Sequence, residues 1–64
     1  MTFLEYIAWR VQKFGAYEQL RYSQIEEGLY EYDSYLAINL TLSLKEAKFR
    51  LVNQSSGKYY YKDI

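Results

Sequence analysis

The first fourteen residues of the chain have the spacing of an amphipathic helix with defined ends. Thr2 and Glu5 stand three positions apart, as in a capping box, in which each side chain bonds the other residue's backbone N–H. Gly15 follows the last of these residues and supplies a natural helix stop. The pattern therefore predicts a helix over residues 3–14.

The two faces of this predicted helix differ in character. At about 100° per residue, the apolar side chains form one stripe that we expect to face the core: Phe3, Leu4, Ile7, Ala8, Val11 and Phe14. The opposite face carries Trp9 at its centre, with Tyr6 and Lys13 beside it. Either another part of the chain folds over this single tryptophan, or Trp9 contacts a partner.

Residues 28–44 contain a clear period-two pattern. Five apolar side chains alternate with smaller or polar ones, which predicts a strand because a helix would divide them between opposite sides: Leu36, Ile38, Leu40, Leu42 and Leu44. Tyr30 and Tyr32 are in the same phase and are predicted to be core residues. The strand begins near Leu29, or Asp33 and Ser34 form a bend between two shorter strands.

The stretch between the helix and this strand is less clearly patterned. Leu20 and Tyr22 fit a strand, and a weak capping box at Ser23 and Glu26 fits a helix. We favour a strand that ends in a hairpin turn at residues 26–28.

The C-terminal third also fits two structures. Ser43 and Glu46 have capping-box spacing, whereas Ala47, Phe49 and Leu51 alternate with basic residues. A helix would leave Phe49 among polar neighbours, which favours a strand, and residues 55–57 then lead into a closing hairpin through residues 58–62. Either choice predicts an α+β fold, a single small domain over residues 1–64 in which one helix packs on a small, mainly antiparallel sheet.

The composition bears on the kinds of site to expect. The chain has no cysteine and no histidine, so the commonest zinc ligands, catalytic bases and nucleophiles are missing. Its three glycines are isolated and form no phosphate-binding motif. We therefore expect a protein that is not an enzyme and that uses no cofactor and no metal.

Length and charge suggest how such a protein acts. A chain of 64 residues is near the lower limit for a self-sufficient core, so self-association or docking into an assembly is expected. Half of the residues are apolar or aromatic, the charges cancel, and neither a secretory signal nor a membrane span is recognised. A globular protein in the cytoplasm, without membrane contact, is the resulting expectation.

The charges are distributed unevenly along the chain. Residues 1–33 hold six acids and three bases, whereas residues 34–64 hold five bases and two acids, a pattern that suits complementary contacts with a second copy or a partner. The one carboxylate cluster does not have calcium-loop spacing and is interpreted as a solvated acidic edge: Glu26, Glu27, Glu31 and Asp33. The last predicted strand places Lys58, Tyr60 and Lys62 on one face, as an edge strand or as a surface for nucleic acid.

Nine tyrosines and one tryptophan make an aromatic binding surface the most informative expectation. We predict a non-enzymatic protein-binding module, for another protein or as a homodimer, with these contact residues: Tyr6, Trp9, Lys13, Lys58, Tyr60 and Lys62. The size and composition of the chain are those of phage and mobile-element accessory proteins that bind and inhibit a host protein, which favours a role of this class. The alternatives are a structural subunit of a larger assembly and a nucleic-acid-binding protein that uses the C-terminal lysines and tyrosines.

Overall fold

The computed structural model describes residues 1–16, 21–36, 38, 42–43 and 45–64. The elements that lie wholly within these residues are, in chain order, α1 (Phe3–Phe14), β1 (Tyr22–Glu26), β2 (Leu29–Tyr32), β3 (Phe49–Ser55) and β4 (Lys58–Asp63). The strands form one antiparallel sheet in the order β1-β2-β4-β3. The predicted α+β class is confirmed.

Both predicted hairpins are present. Glu27 and Gly28 connect β1 to β2, with Gly28 at φ 76°. Ser56 and Gly57 connect β3 to β4, and their φ angles of 52° and 77° are both positive, as a type I′ turn requires. The positive φ values explain why glycine stands at the second position of each turn.

The closing hairpin docks on the first one through its second strand. Tyr61 of β4 pairs with Tyr30 of β2, so β4 lies in the middle of the sheet and β1 and β3 form its edges. The interpretation of residues 58–62 as an edge strand is therefore wrong. Each edge strand instead carries a β-bulge, at Ile25 in β1 and at Val52 in β3, which interrupts the regular edge that another strand would need.

The helix has the ends that the sequence predicts. The Thr2 N–H donates to Glu5 Oε1 at 2.8 Å, and the Glu5 N–H donates to Thr2 Oγ1 at 3.3 Å, which completes the capping box. Hydrogen bonding of the ionised Glu5 carboxylate to the backbone N–H and to the side chain of Thr2 lowers the pKa of Glu5. At the other end the Gly15 N–H donates to Val11 O at 2.8 Å with φ 103°, which stops the helix.

The buried face of α1 differs from the predicted stripe. The helix packs on the sheet through Phe3, Tyr6 and Ile7, and all three are buried. Three members of the predicted stripe are exposed: Leu4, Ala8 and Phe14. The pattern places Tyr6 on the polar face, and this prediction is wrong, because its side chain is 0% exposed. At 100° per residue, the buried face is rotated by roughly 70° towards Tyr6.

Aromatic packing accounts for this rotation. The Phe3 ring stacks on Tyr30 at 4.6 Å and on Tyr61 at 5.5 Å between centroids, and meets Phe49 edge-on at 5.4 Å. The Phe3 N–H also donates to Asp63 Oδ1 at 2.9 Å, which fixes the start of the helix over the end of β4. Because the buried side chains all come from the first two turns, Phe14 lies beyond the core.

The prediction of core tyrosines on β2 is confirmed. Tyr30 and Tyr32 are both buried and belong to the same hydrophobic cluster as Phe3. After Tyr32 the chain bends at Asp33 and Ser34, as one of the two alternatives expects, and leaves the sheet.

The leucine pattern of residues 36–44 does not form the predicted strand at the described positions. Residues 37, 39–41 and 44 lie outside the described part of the chain, as do residues 17–20 of the earlier segment. Leu36, Ile38 and Leu42 are not in a strand, and the Leu42 N–H donates to Ile38 O at 2.7 Å, which is the four-residue spacing of a helical turn. Both sides of β2 are already paired, and Leu36, Ile38 and Leu42 pack in or against the core instead.

The competing signals at Ser43 and Phe49 both correspond to observed structure, a turn followed along the chain by a strand. The Glu46 N–H donates to Ser43 O at 3.0 Å, and Ser43 Oγ donates to Glu46 Oε1 at 2.8 Å, but these bonds form a turn at residues 45–46. Strand β3 then begins at Phe49, which confirms the favoured prediction.

One buried hydrogen bond joins the connection after β2 to the sheet. The Leu36 N–H donates to the hydroxyl of Tyr61 at 2.8 Å, and both residues are buried. We expect Tyr61→Phe to lower the free energy of unfolding by about 1–3 kcal/mol, because the buried N–H is left without an acceptor. Urea denaturation measures this loss. The matched control is Tyr59→Phe, since among the described residues the Tyr59 hydroxyl has no hydrogen-bond partner, and an equal loss in both variants would contradict the assignment.

The tyrosines also predict how stability depends on alkaline pH. Burial raises the pKa of Tyr61 and of Tyr30 above the ordinary value of 10.0. The unfolded chain therefore loses these protons first, so their contribution to stability is complete below pH 10.0 and is lost as the pH rises towards the folded-state pKa values. Thermal melts from neutral to strongly alkaline pH should show a falling melting temperature, with a shallower fall for Tyr61→Phe. An equally steep fall in that variant would contradict the role of Tyr61.

Candidate binding sites

The predicted contact residues lie on opposite sides of the sheet. Tyr6, Trp9 and Lys13 belong to α1, which covers the inner face of the sheet. Lys58, Tyr60 and Lys62 project from the outer face of β4, opposite to the buried Tyr61. The structure therefore separates the candidates into a helix surface and a sheet surface.

Tyr6 belongs to the core and supports the helix surface from beneath. Its ring packs 5.5 Å from Phe49, and its hydroxyl accepts a hydrogen bond from Arg10 Nη1 at 3.5 Å. The partner at position i+4 is the sequence signal that was missed, since an arginine one turn later can satisfy a buried hydroxyl. Tyr6 is thus a supporting residue and offers no surface to a partner.

Four side chains at the end of α1 form a compact aromatic and cationic group, which we name the helix-end cluster: Trp9, Arg10, Lys13 and Phe14. The Trp9 ring stacks on Tyr6 at 5.7 Å and meets the Phe14 ring edge-on at 6.4 Å. Lys13 Nζ lies 5.1 Å from the Trp9 ring centre, and the Arg10 guanidinium lies 5.2 Å from that of Phe14. Each cation lies within the range of a cation–π interaction.

The members of the helix-end cluster differ in exposure. Trp9 is partly buried and packs against the core, so its own chain covers part of the ring. Phe14 is 55% exposed, and Lys13 is also exposed. The indole therefore anchors the cluster to the core, and contact of Trp9 with a partner stays a prediction. Phe14, which the sequence pattern assigns to the core, presents its apolar surface to solvent instead.

The other flank of α1 borders a cleft of about 360 Å³. Its lining residues include apolar residues that the sequence pattern places in the core, together with Tyr22 from β1: Leu4, Ile7, Ala8, Val11, Gln12 and Tyr22. The rotation of the helix moves this apolar stripe from the core to the boundary of the cleft. No sequence signal separates a stripe beside a cleft from a stripe in the core, because both are apolar at helical spacing.

The outer face of β4 has the arrangement that the strand pattern predicts. Tyr60 lies between the exposed Lys58 and Lys62 on this face, and Tyr61 is buried on the other. Glu31 is the cross-strand neighbour of Tyr60, and interaction with its carboxylate favours the protonated hydroxyl and raises the pKa of Tyr60. Tyr60 and Glu31 therefore lie side by side on the two middle strands of the sheet.

The four predicted acidic residues all lie in or beside the β1–β2 hairpin at one edge of the sheet. Glu26 and Glu27 stand at the turn, Glu31 is the cross-strand neighbour of Tyr60, and Asp33 Oδ1 accepts a hydrogen bond from Arg21 Nε at 2.9 Å. Within the described residues, no group of three or more possible ligands is placed to hold a metal ion.

Comparison of the chain with protein-family models, curated proteins and solved structures gives no match. Its own structure defines it as a small α+β protein rich in aromatic residues, with one helix on a four-stranded antiparallel sheet. In the described part of the chain, no helix has the length and apolar character needed to span a membrane.

Measurements of the free energy of unfolding test whether Trp9 anchors the helix-end cluster while Phe14 is exposed. We expect Trp9→Ala to lower the free energy of unfolding by about 2 kcal/mol, because a half-buried ring that packs on Tyr6 is removed. Phe14→Ala should cost less than about 0.5 kcal/mol, since it truncates an exposed side chain. Urea denaturation of both variants gives the comparison. Equal losses would show that Phe14 is as much a part of the core as Trp9.

Proposed function

We propose that this protein is a non-enzymatic protein-binding module and that the helix-end cluster is its contact surface. The exposure of Phe14 carries the proposal. An aromatic ring that is 55% exposed is held between a tryptophan and an arginine, the side chains most enriched at interface hot spots.

The cluster is preorganised for binding. Trp9 is fixed by its stack on Tyr6, and Phe14 is held by contacts with Trp9 and Arg10, so little side-chain freedom is lost when a partner covers them. Covering the exposed half of Phe14 removes on the order of 100 Å² of apolar surface from water, which stabilises a complex by about 2 kcal/mol. This is the contribution expected of one hot-spot residue.

The charges of the cluster specify the kind of partner. Both of its ionised side chains, Arg10 and Lys13, are cations placed against aromatic rings. A partner with an apolar pocket for Phe14 and carboxylates at its rim complements this surface, and a basic partner is repelled. We therefore propose an acidic protein surface as the target.

Size, composition and the lack of cysteine and histidine support an accessory or inhibitory role in the cytoplasm, of the kind found among phage and mobile-element proteins. Such a protein acts by occupying a surface of its target, which needs no chemistry beyond the contact itself.

Site-specific crosslinking tests the proposed contact surface. A photo-reactive phenylalanine analogue is placed at position 14 and, as the matched control, at position 35. Tyr35 is an aromatic residue of nearly equal exposure, 57%, and it lies outside the helix-end cluster, against Tyr59. Illumination in extract of the producing cell should give one discrete adduct from position 14, and its formation should fall when Lys13→Glu reverses a charge of the cluster.

Two results would contradict the proposal. One is a position-14 adduct pattern identical to that of position 35, which would indicate non-specific collision. The other is an adduct from position 14 that Lys13→Glu leaves unchanged, since the charge of the cluster would then not select the partner.

A further inference from the structure

The outer face of the sheet has an ordered distribution of charge across its strands. Cross-strand pairing places four residues in one row, in the order β1, β2, β4, β3: Glu26, Leu29, Lys62 and Arg50. In the next row Glu31 of β2 is beside Tyr60 of β4. Lys58 adds a further base on β4. The half of the face formed by β1 and β2 is therefore acidic, and the half formed by β3 and β4 is basic.

One contact in this face opposes folding. Arg50 and Lys62 are direct cross-strand partners, and like charges at such positions are destabilising. Among the described residues neither side chain forms an ion pair, and both are exposed. The pair would be stabilised by an acidic group placed above it.

We propose that this face binds a second copy of the chain. A two-fold axis that runs parallel to the strands, between β2 and β4, places β1 of one copy over β3 of the other and β2 over β4. Glu26 then faces the second copy's Arg50, and Leu29 faces its Lys62 stem. The same contacts recur on the other side of the axis, as an isologous interface requires. Packed sheets lie about 10 Å apart, a gap that a glutamate and an arginine side chain bridge together.

The centre of the face is suited to lie near this axis. Leu29 and Tyr60 are partly buried on the two middle strands, and the bulge residue Val52, which precedes the Tyr60 partner Asn53 on β3, is an exposed apolar side chain. These side chains supply an apolar centre inside a charged rim, which is the usual organisation of a protein interface.

The area of the outer face determines how strongly the two copies are expected to associate. Four strands about 4.8 Å apart and roughly 20 Å long give a face of about 400 Å², which is about half of the roughly 800 Å² that each partner buries in a standard interface. The dimer should therefore be weak and sensitive to salt, since its specificity comes from exposed ion pairs that salt screens.

The same face is less suited to nucleic acid. The bases Arg50, Lys58 and Lys62 could meet phosphates and Tyr60 could stack on a base, but Glu26 and Glu31 share the face and repel a phosphate backbone. A surface with positive and negative charges in separate halves complements a second copy of itself. A nucleic acid, whose backbone is negatively charged, is bound best by a surface that is positively charged throughout.

This inference does not rest on the proposed function, because the helix-end cluster lies on the other side of the sheet. A dimer through the outer face leaves both clusters accessible, and it would present two of them to a target with repeated sites. Binding through two linked contacts raises the apparent affinity without any new contact.

Charge reversal tests the dimer. Sedimentation velocity of the wild type over a range of concentrations should show a monomer–dimer equilibrium at low salt that weakens at about 0.5 M salt. Arg50→Glu and Glu26→Arg should each be monomeric, because each places like charges together in the homodimer. An equimolar mixture of the two variants should dimerise again. In the mixed dimer one contact is the wild-type pair of Glu26 with Arg50, and the other joins the two substituted side chains, which carry opposite charges.

Controls separate this result from misfolding and from general charge effects. Lys45→Glu makes the same charge change as Arg50→Glu at an exposed turn away from the face, and it should dimerise like the wild type. Thermal melts of all variants should stay close to the wild type, because the changed side chains are exposed.

Three outcomes would overturn the inference: a wild type that stays monomeric at low salt, a dimer that both charge reversals leave intact, or variants that do not associate when mixed. A separate binding experiment mixes single-stranded oligonucleotides with the wild type and with Arg50→Glu. A salt-sensitive complex that only the wild type forms would assign the face to nucleic acid instead.

Discussion

The ring of Phe3 lies between Tyr30 and Tyr61, with further rings of Tyr22, Tyr32 and Phe49 within 6.3 Å of its centre. These neighbours come from all four strands, so the position of one side chain in the first turn of α1 ties the helix to the whole sheet. In a chain too short for a large core, aromatic rings bury the most surface per residue, which explains why tyrosine takes core positions that aliphatic residues fill in larger domains.

This arrangement determines which surfaces remain accessible. Seating Phe3, Tyr6 and Ile7 on the sheet rotates the helix, moves Leu4 and Ala8 to its flank, and leaves Phe14 beyond the core beside Trp9. Placing β4 in the centre of the sheet, with Tyr61 inward, puts Tyr60 and its flanking lysines on the open face. The same packing of α1 and β4 around the core therefore leaves both the helix-end cluster and the outer sheet face accessible, on opposite sides of the sheet.

The two surfaces differ in physical character. The helix-end cluster is a small group of rings and cations, rigid because it is attached to the core through Tyr6, and suited to insertion into a partner. The outer face spans four strands, carries charges of both signs in separate halves, and is suited to its own copy. The cross-strand pair of Tyr60 and Glu31 belongs to this face and lies at the boundary between the halves.

Local signals in the sequence determined the ends of α1, both hairpin turns, the period of β3 and β4, and the presence of Tyr30 and Tyr32 in the core, because capping bonds, positive φ angles and strand alternation act within a few residues. Only the tertiary structure decided the rotation of α1, the central position of β4 and the departure of Leu36 from the sheet. Each of these depends on which rings meet across the core and which strand edges are already paired. A tyrosine has an apolar ring and a polar hydroxyl, so the sequence alone is compatible with Tyr6 on either the buried or the exposed face of α1. Its contacts with Phe49 and Arg10 place it on the buried face.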